Sequence, residues 1–314
     1  MKNSFFFLAS AFLVTGALLT TGCDKVTNPY PEVAATELDQ TLYPGNWADY
    51  LANEWPVFTA NTNTYRNVLI EDFTGHTCIN CPQASESAEQ IVQAHPGRVF
   101  VAAIHTGPTG MGPLQAVSLP DYPTDWTNAQ GLEIGNFFGT IPGSAFQGNP
   151  RGTVNRALWN DQLTVHPTSW PGRTNSFLNA NILKVNLQSH ANYYPETRGL
   201  FLHTEVDITD ASLTNALGLV VYLIQDSMVG DQKMSDNTHN HEYVHREIMR
   251  GCIDGQAFGR TISADDLNEN GNYYLNYSYK LPAQYTASDM HVLIYVYDKT
   301  TYEVYQVIKQ EFVE

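Results

Sequence analysis

The sequence predicts a multidomain protein in which an α/β unit is followed by an all-β unit. Three stretches carry that expectation. Asn67 to Pro82 runs from an apolar, strand-like segment through Thr74-Gly75 into Cys78-Ile79-Asn80-Cys81, where a helix can start. Ala84 to His105 continues as a helical pattern and then a second apolar strand. From about Leu183 the texture changes to short alternating or apolar runs separated by turn residues.

Taken in order, Met1 to Gly22 carries a basic residue, Lys2, then an apolar core from Phe5 to Leu19, and ends in Thr20-Thr21-Gly22 before Cys23. It reads as a lipoprotein-type signal peptide over residues 1–22, with Cys23 as the lipidated first residue of the mature chain; the alternative is a plain signal peptide cleaved nearby. No later segment is long and apolar enough to span a bilayer as a helix. Residues 23–60 are polar and carry Pro29, Pro31, Pro44 and Pro56, as a lipidated N-terminus and tether with at most one added strand would. With Lys+Arg at 16 against Asp+Glu at 32, the formal charge of -16 argues against electrostatic binding to nucleic acid or anionic lipid.

The α/β unit is expected over residues 61–165. After the cysteines, Ala84, Ala88, Ile91, Val92 and Ala94 fall at helical spacing, and Pro96-Gly97 stops the helix. Arg98 to His105 is then a buried strand, as a parallel crossover requires. Residues 106–130, rich in Gly, Pro and aromatics, form an insertion, and Gln130 to Phe138 supplies the next helix. Two thiols one helical turn apart can close a small disulfide. At a helix N-terminus Cys78 meets unpaired N–H groups and the positive end of the dipole, which lowers its pKa and makes it the nucleophile. With Cys23 assigned to lipid, Cys252 is the odd thiol, expected buried and inert.

The all-β unit is expected over residues 183–314. Val185 to Ser189, Leu200 to Val206, Leu217 to Ile224, Tyr273 to Leu281, His291 to Tyr297 and Tyr302 to Phe312 are its strands, and Asn270-Gly271 is a hairpin turn signal. That spacing predicts a β-sandwich, Ig-like or jelly-roll, suited to presentation or adhesion and without visible chemistry of its own.

The region around the cysteines resembles the thioredoxin-like family. Asp72-Phe73 stands six residues before Cys78, where thioredoxins carry an acidic residue and an aromatic on the central strand. Gly139-Thr140-Ile141-Pro142, followed by Ala145-Phe146 and Gly148, is similar to the family's cis-proline loop and next strand. Ile79-Asn80 replaces the usual Gly-Pro between the cysteines, so the resemblance bears on fold more than on redox potential. It implies that Cys78 attacks a substrate disulfide, Cys81 resolves the intermediate, Asp72 manages the proton on Cys81 and Pro142 holds the substrate strand if its bond is cis. His76, two residues before Cys78, is either a further thiolate-stabilising group or an exposed loop residue.

Two motifs point elsewhere. His241-Glu242-Tyr243-Val244-His245 matches the zinc-protease pattern, in which two imidazoles one helical turn apart bind metal and the Glu activates water. It falls between predicted strands and lacks the usual continuation. The plain alternative is therefore a loop and strand over Asn240 to Arg250; His241 and His245, helped by His239, are the metal candidates, and no cofactor is expected. Asp266-x-Asn268-x-Asn270-Gly271 opens like a calcium loop, but Tyr277 stands where a bidentate Glu belongs, which favours a hairpin turn with solvated side chains.

The lipoprotein start, the segment around Cys78, Asn155-Arg156 and the His/Arg-rich stretch before a β-rich end together resemble the Bacteroidota outer-membrane lipoproteins related to the twenty-eight-kilodalton surface antigen of oral anaerobes. The resemblance implies an outer-membrane location, lipid-anchored at the periplasmic face or the cell surface. Two functions stay open: thiol-disulfide exchange on exported proteins through Cys78 and Cys81, or a non-enzymatic protein that binds surface ligands and keeps a structural Cys78-Cys81 disulfide.

Overall fold

The computed structural model describes residues 38–312. The signal segment, Cys23 and the start of the tether lie outside the described residues. Among the described residues the first half comprises α1 (Trp47–Asn53), β1 (Val68–Thr74), α2 (Cys81–Ala94), β2 (Val99–His105), α3 (Ala129–Thr140), β3 (Arg151–Val154) and α4 (Trp170–Ala180). The second half adds β4 (Val185–Tyr194), β5 (Gly199–Ile208), β6 (Leu217–Gln225), β7 (Met228–Lys233), β8 (His239–His245) and β9 (Ile248–Cys252). It ends with β10 (Arg260–Thr261), β11 (Tyr273–Lys280), β12 (Met290–Asp298) and β13 (Val304–Glu311). All six runs expected as strands are strands, and so are the two on either side of α2.

The halves are not laid out as separate sheets. One large sheet runs β13-β12-β6-β9-β2-β1-β3, with β10 also paired to β6. Its β1 and β2 are parallel, β2 is parallel to β9, and β9 pairs antiparallel with β6. The described residues, 38–312, fall in one compact unit, where the sequence leads to two domains meeting between residues 165 and 183. The reason is visible in β6 and β12, which are buried along their whole length. A strand buried on both faces needs a layer on each side.

Alternation of side chains supplies those layers. Val220, Tyr222 and Ile224 face one side, where they share a core with Leu69, Phe73, Ile134 and Phe138 beneath α3. Leu219, Val221 and Leu223 face the other side and pack with Val185, Leu187, Leu202 and Leu275 of a second sheet, ordered β11-β5-β4. At the β1–β2 end that second side is covered by helices: Val68 and Ile70 meet Ala84, Ala88 and Ile91 of α2 and Trp170 of α4.

The stretch expected as a tether is folded from residue 38 onward. Asn46 caps α1 by accepting from the Ala48 N–H, and Tyr50 is fully buried with Leu42 and Phe201. Trp47 stacks on Tyr50 at 4.6 Å, and the Tyr50 hydroxyl bonds His203 Nε2 at 2.6 Å. Aromatic burial of this size outweighs the proline content of the segment. Among its described residues the added strand is not formed; residues 57–67 instead run beside β4, where Asn61 Nδ2 donates to the Leu187 carbonyl at 2.9 Å.

Candidate functional site

β1 delivers the chain through Gly75 to the cysteines, and Cys81 opens α2 with Pro82 in its first turn. Glycine is needed at 75 because a Cβ there would lie 2.5 Å from the Leu114 carbonyl oxygen. Cys78 and Cys81 are joined in a disulfide with their Cα atoms 5.4 Å apart. Both are covered, at 3% and 2% exposure.

Two separate parts of the chain make that cover. From the insertion, Leu114 accepts from the Thr77 N–H at 3.2 Å, and the Ala116 carbonyl accepts from His76 Nε2 at 3.0 Å. From the β7–β8 hairpin, the Lys233 N–H donates to the His76 carbonyl at 2.8 Å, and Gln232 Nε2 donates to the Cys78 carbonyl at 3.2 Å. The hairpin sits close on the insertion: a Cβ at Gly230 would lie 2.5 Å from the Trp126 ring. His76 is accordingly buried between these covers and stacked on Tyr122, and its burial holds its pKa below the ordinary value.

Asp72 lies on the α2 side of β1. It is buried, its Oδ1 has no hydrogen-bond partner, and it lines a cavity of about 190 Å³ with Ser85, Ala88, Val101, Ala103 and Arg246. Burial without a partner pushes its carboxyl up to about 8, so it is protonated at neutral pH. The next residue behaves oppositely. Glu71 faces the α3 side and accepts from Thr153 Oγ1, from Arg156 Nε and Nη2, and from the Tyr222 hydroxyl, all at 2.7 or 2.8 Å. Burial alone would raise its carboxyl; the Arg156 guanidinium and these hydrogen bonds outweigh that and hold it below the usual range. Phe138, Phe258, Tyr295 and Tyr297 ring the guanidinium at 5.2 to 5.8 Å. The Glu71–Arg156 pair therefore ties β1 to strands of the second half, a role that the sequence signalled only through the unusual Asn155-Arg156 pair.

Pro142 is not at the site. It is exposed just beyond α3, and its peptide bond is not among the cis bonds, which are Leu119-Pro120 and Asn149-Pro150. The residues expected to follow as a strand, 145–148, form no regular element. Pro150 directly precedes β3, and it borders a surface cavity with Asn80, Gln83 and Ala84 of the Cys–Cys segment and α2. Asn149 anchors it there, donating from Nδ2 to the Phe73 and Thr106 carbonyls at 2.7 and 2.8 Å.

The zinc-protease pattern is overturned by its secondary structure. His241, Glu242 and His245 lie on strand β8, not on a helix, and a bulge opposite Asp231 sends them to different faces. The His241 side chain is 70% exposed, whereas His245 is buried against Trp126 and 5.8 Å, centroid to centroid, from His105. Burial lowers the pKa of His245 to about 4 and holds that of His105 well below its ordinary value. Cys252 is free and buried, and burial raises its thiol well above the ordinary range, as expected for an inert residue. Asp266 caps Ser263 and pairs with Arg260, and Tyr277 is buried in β11, so the calcium-loop pattern is a turn.

Comparison with known proteins places this geometry in context. The chain matches the solved structure "HBP35 of Porphyromonas gingivalis" at 16% identity and a TM-score of 0.59, over 80% of this chain and 77% of that one, a likeness of fold. A domain of the outer membrane lipoprotein Omp28 from Porphyromonas gingivalis also matches, at 22% identity over 42% of this chain and 89% of that one, with a TM-score of 0.28. No curated protein gives a match. Among the described residues no helix is long and apolar enough to cross a membrane. The outer membrane protein Omp28 family matches residues 144–314, beginning downstream of the cysteines and taking in Arg156, the β7–β8 hairpin and most of the large sheet, and the chain belongs to that family.

Proposed function

We propose that this is a lipid-anchored outer-membrane protein, held at Cys23, in which a thioredoxin-like half and a sandwich-like half serve as a binding scaffold for exported proteins or surface ligands. Cys78–Cys81 is then a structural disulfide. The observation that supports this reading is the double cover: both cysteines are buried beneath the insertion and the β7–β8 hairpin. A dithiol enzyme must present its nucleophilic sulfur to another protein's disulfide. The test is the reduction potential of the pair in the purified full-length chain, beside an insulin-reduction assay. A potential below about -300 mV and no turnover are expected. A potential between about -270 and -120 mV, with turnover abolished by Cys78→Ser, sinks the structural reading.

Asp72 favours a second reading, thiol-disulfide exchange. An unpartnered carboxyl with a pKa of about 8, on the strand that leads to Cys78, gives up its own proton easily near neutral pH and, once ionised, can take the proton of the resolving thiol. In that case an external thiol reductant first opens the Cys78–Cys81 disulfide, the Cys78 thiolate then attacks an exported protein's disulfide and releases one of its thiols, Cys81 attacks the Cys78 sulfur of the mixed disulfide and releases the other as Cys78–Cys81 closes again, and the hairpin has to lift first.

A further inference from the structure

We propose that Asp231, His239 and His241 form a binding site for one divalent transition-metal ion on the outer face of the β7–β8 hairpin. The site is distinct from the His-Glu-x-x-His pattern, whose second histidine points inward.

The backbone brings the three together. Lys233 pairs with His239 and Gln232 with Asn240, then the register shifts, so that Asp231 alone stands opposite His241 and Glu242. Gln232 turns inward to the Cys78 carbonyl, which leaves its neighbour Asp231 on the outer face with His239 and His241. Strand alternation on either side of the Gln232–Asn240 pair puts His239, His241 and Asp231 on one face, and the bulge beyond His241 turns Tyr243 and His245 to the other.

The side chains converge on one point. His239 Nε2 donates to Asp231 Oδ1 at 2.8 Å and His241 Nδ1 donates to the same oxygen at 2.7 Å. The three ligand atoms lie within 4.8 Å of one another. His239 is held in place by stacking, 4.5 Å from the Tyr122 ring and 3.9 Å from His241. An ion about 2.1 Å from each ligand takes the place of the two shared protons, and the exposed His241 ring has freedom to open the ligands to coordination spacing.

Two imidazoles and one carboxylate select the metal class. This donor set suits Zn²⁺, Ni²⁺, Co²⁺ or Cu²⁺, whereas Ca²⁺ and Mg²⁺ demand oxygen ligands. Three protein ligands on a solvent-facing strand pair leave coordination positions open to water or to an external donor. The formal charge of -16 raises the local concentration of any cation.

The test is calorimetric titration of metal-stripped full-length protein with ZnCl₂ and, separately, CaCl₂, alongside His241→Ala, His239→Gln and Asp231→Asn. The exposed His166→Ala is the control for adventitious surface histidines. One zinc per chain is expected, weakened at least tenfold in each of the three variants and unchanged in His166→Ala, with no calcium heat. Cobalt loading should give a visible d–d spectrum that is lost in His241→Ala. The proposal is overturned if zinc fails to bind the parent chain or binds all four variants equally well.

Discussion

Glu71 and Asp72 are consecutive, both carboxylic acids and both buried, yet they end in opposite protonation states. On the α3 side of the large sheet Glu71 meets a guanidinium, two hydroxyls and a ring of aromatics, and it stays ionised. On the α2 side Asp72 borders a small cavity in which no group hydrogen-bonds its Oδ1, and it keeps its proton. His105 and His245, near the cover of the disulfide, are likewise buried with ring nitrogens that have no partner, and both stay neutral. Burial is common to all of them; what differs is whether the fold supplies a counter-charge. One part of the molecule is built for cohesion between the two halves, and the other holds polar groups in reserve.

Breaking the cohesive side should have the largest effect. Arg156→Ala leaves the Glu71 carboxylate buried and alone, and is expected to cost roughly 3 to 5 kcal/mol in urea unfolding at pH 7. Glu71→Gln combined with Arg156→Met, which removes both charges, should recover much of that loss. If the double variant is no better than the single one, the cost lies in packing and the electrostatic account of this side fails.

Asp72→Asn should act in the opposite direction. The folded pKa of about 8 lies above the ordinary 3.8, so the folded state holds a proton that the unfolded chain has released, and stability falls as pH rises from about 4 to 8. Removing the acid therefore stabilises by roughly 3 to 4 kcal/mol at pH 7 and by nothing near pH 3.5. Unfolding midpoints at the two pH values check this, and an equal shift at both would show that titration is not the cause.

His245 carries the reverse pH slope. Its folded pKa of about 4 lies below the ordinary 6.5, so the unfolded chain takes up the proton first and stability is lost as pH falls through that window. His245→Gln is expected to retain about 2 kcal/mol more than the parent at pH 5, relative to pH 7.5. The smallest effect belongs to the cover itself. Gln232→Ala removes one hydrogen bond to the Cys78 carbonyl, worth about 1 kcal/mol, and should speed reduction of the disulfide by a phosphine about fivefold.

Much of the secondary structure was legible in the chain. The apolar runs at Val68, Val99, Leu217 and Met290 are strands, the helix begins at the cysteines, and the helix after the insertion lies where spacing put it. The Cys78–Cys81 pairing and the inert Cys252 follow the same pattern. Gly-Thr-Ile-Pro offered only a local likeness: Pro142 is exposed beyond α3, and the proline that borders the Cys–Cys segment is Pro150, next to the strand that pairs with β1. The continuous apolar runs of β6 and β12 read as strands of a two-sheet unit; double-sided burial also asks what lies on both faces, and these strands join β1 and β2 in one large sheet.

The sequence by itself determined which segments become strands and helices, where the disulfide can close, and which family the chain joins, since these depend on periodicity, spacing and residue type over short stretches. Only the tertiary structure decided that the strands share one sheet, that Glu71 is paired and Asp72 is not, that the cysteines lie beneath a hairpin more than a hundred residues away, and that a single bulge parts His245 from His241, which stays bonded to Asp231. Those outcomes depend on which faces and which distant groups come into contact. No local pattern encodes that.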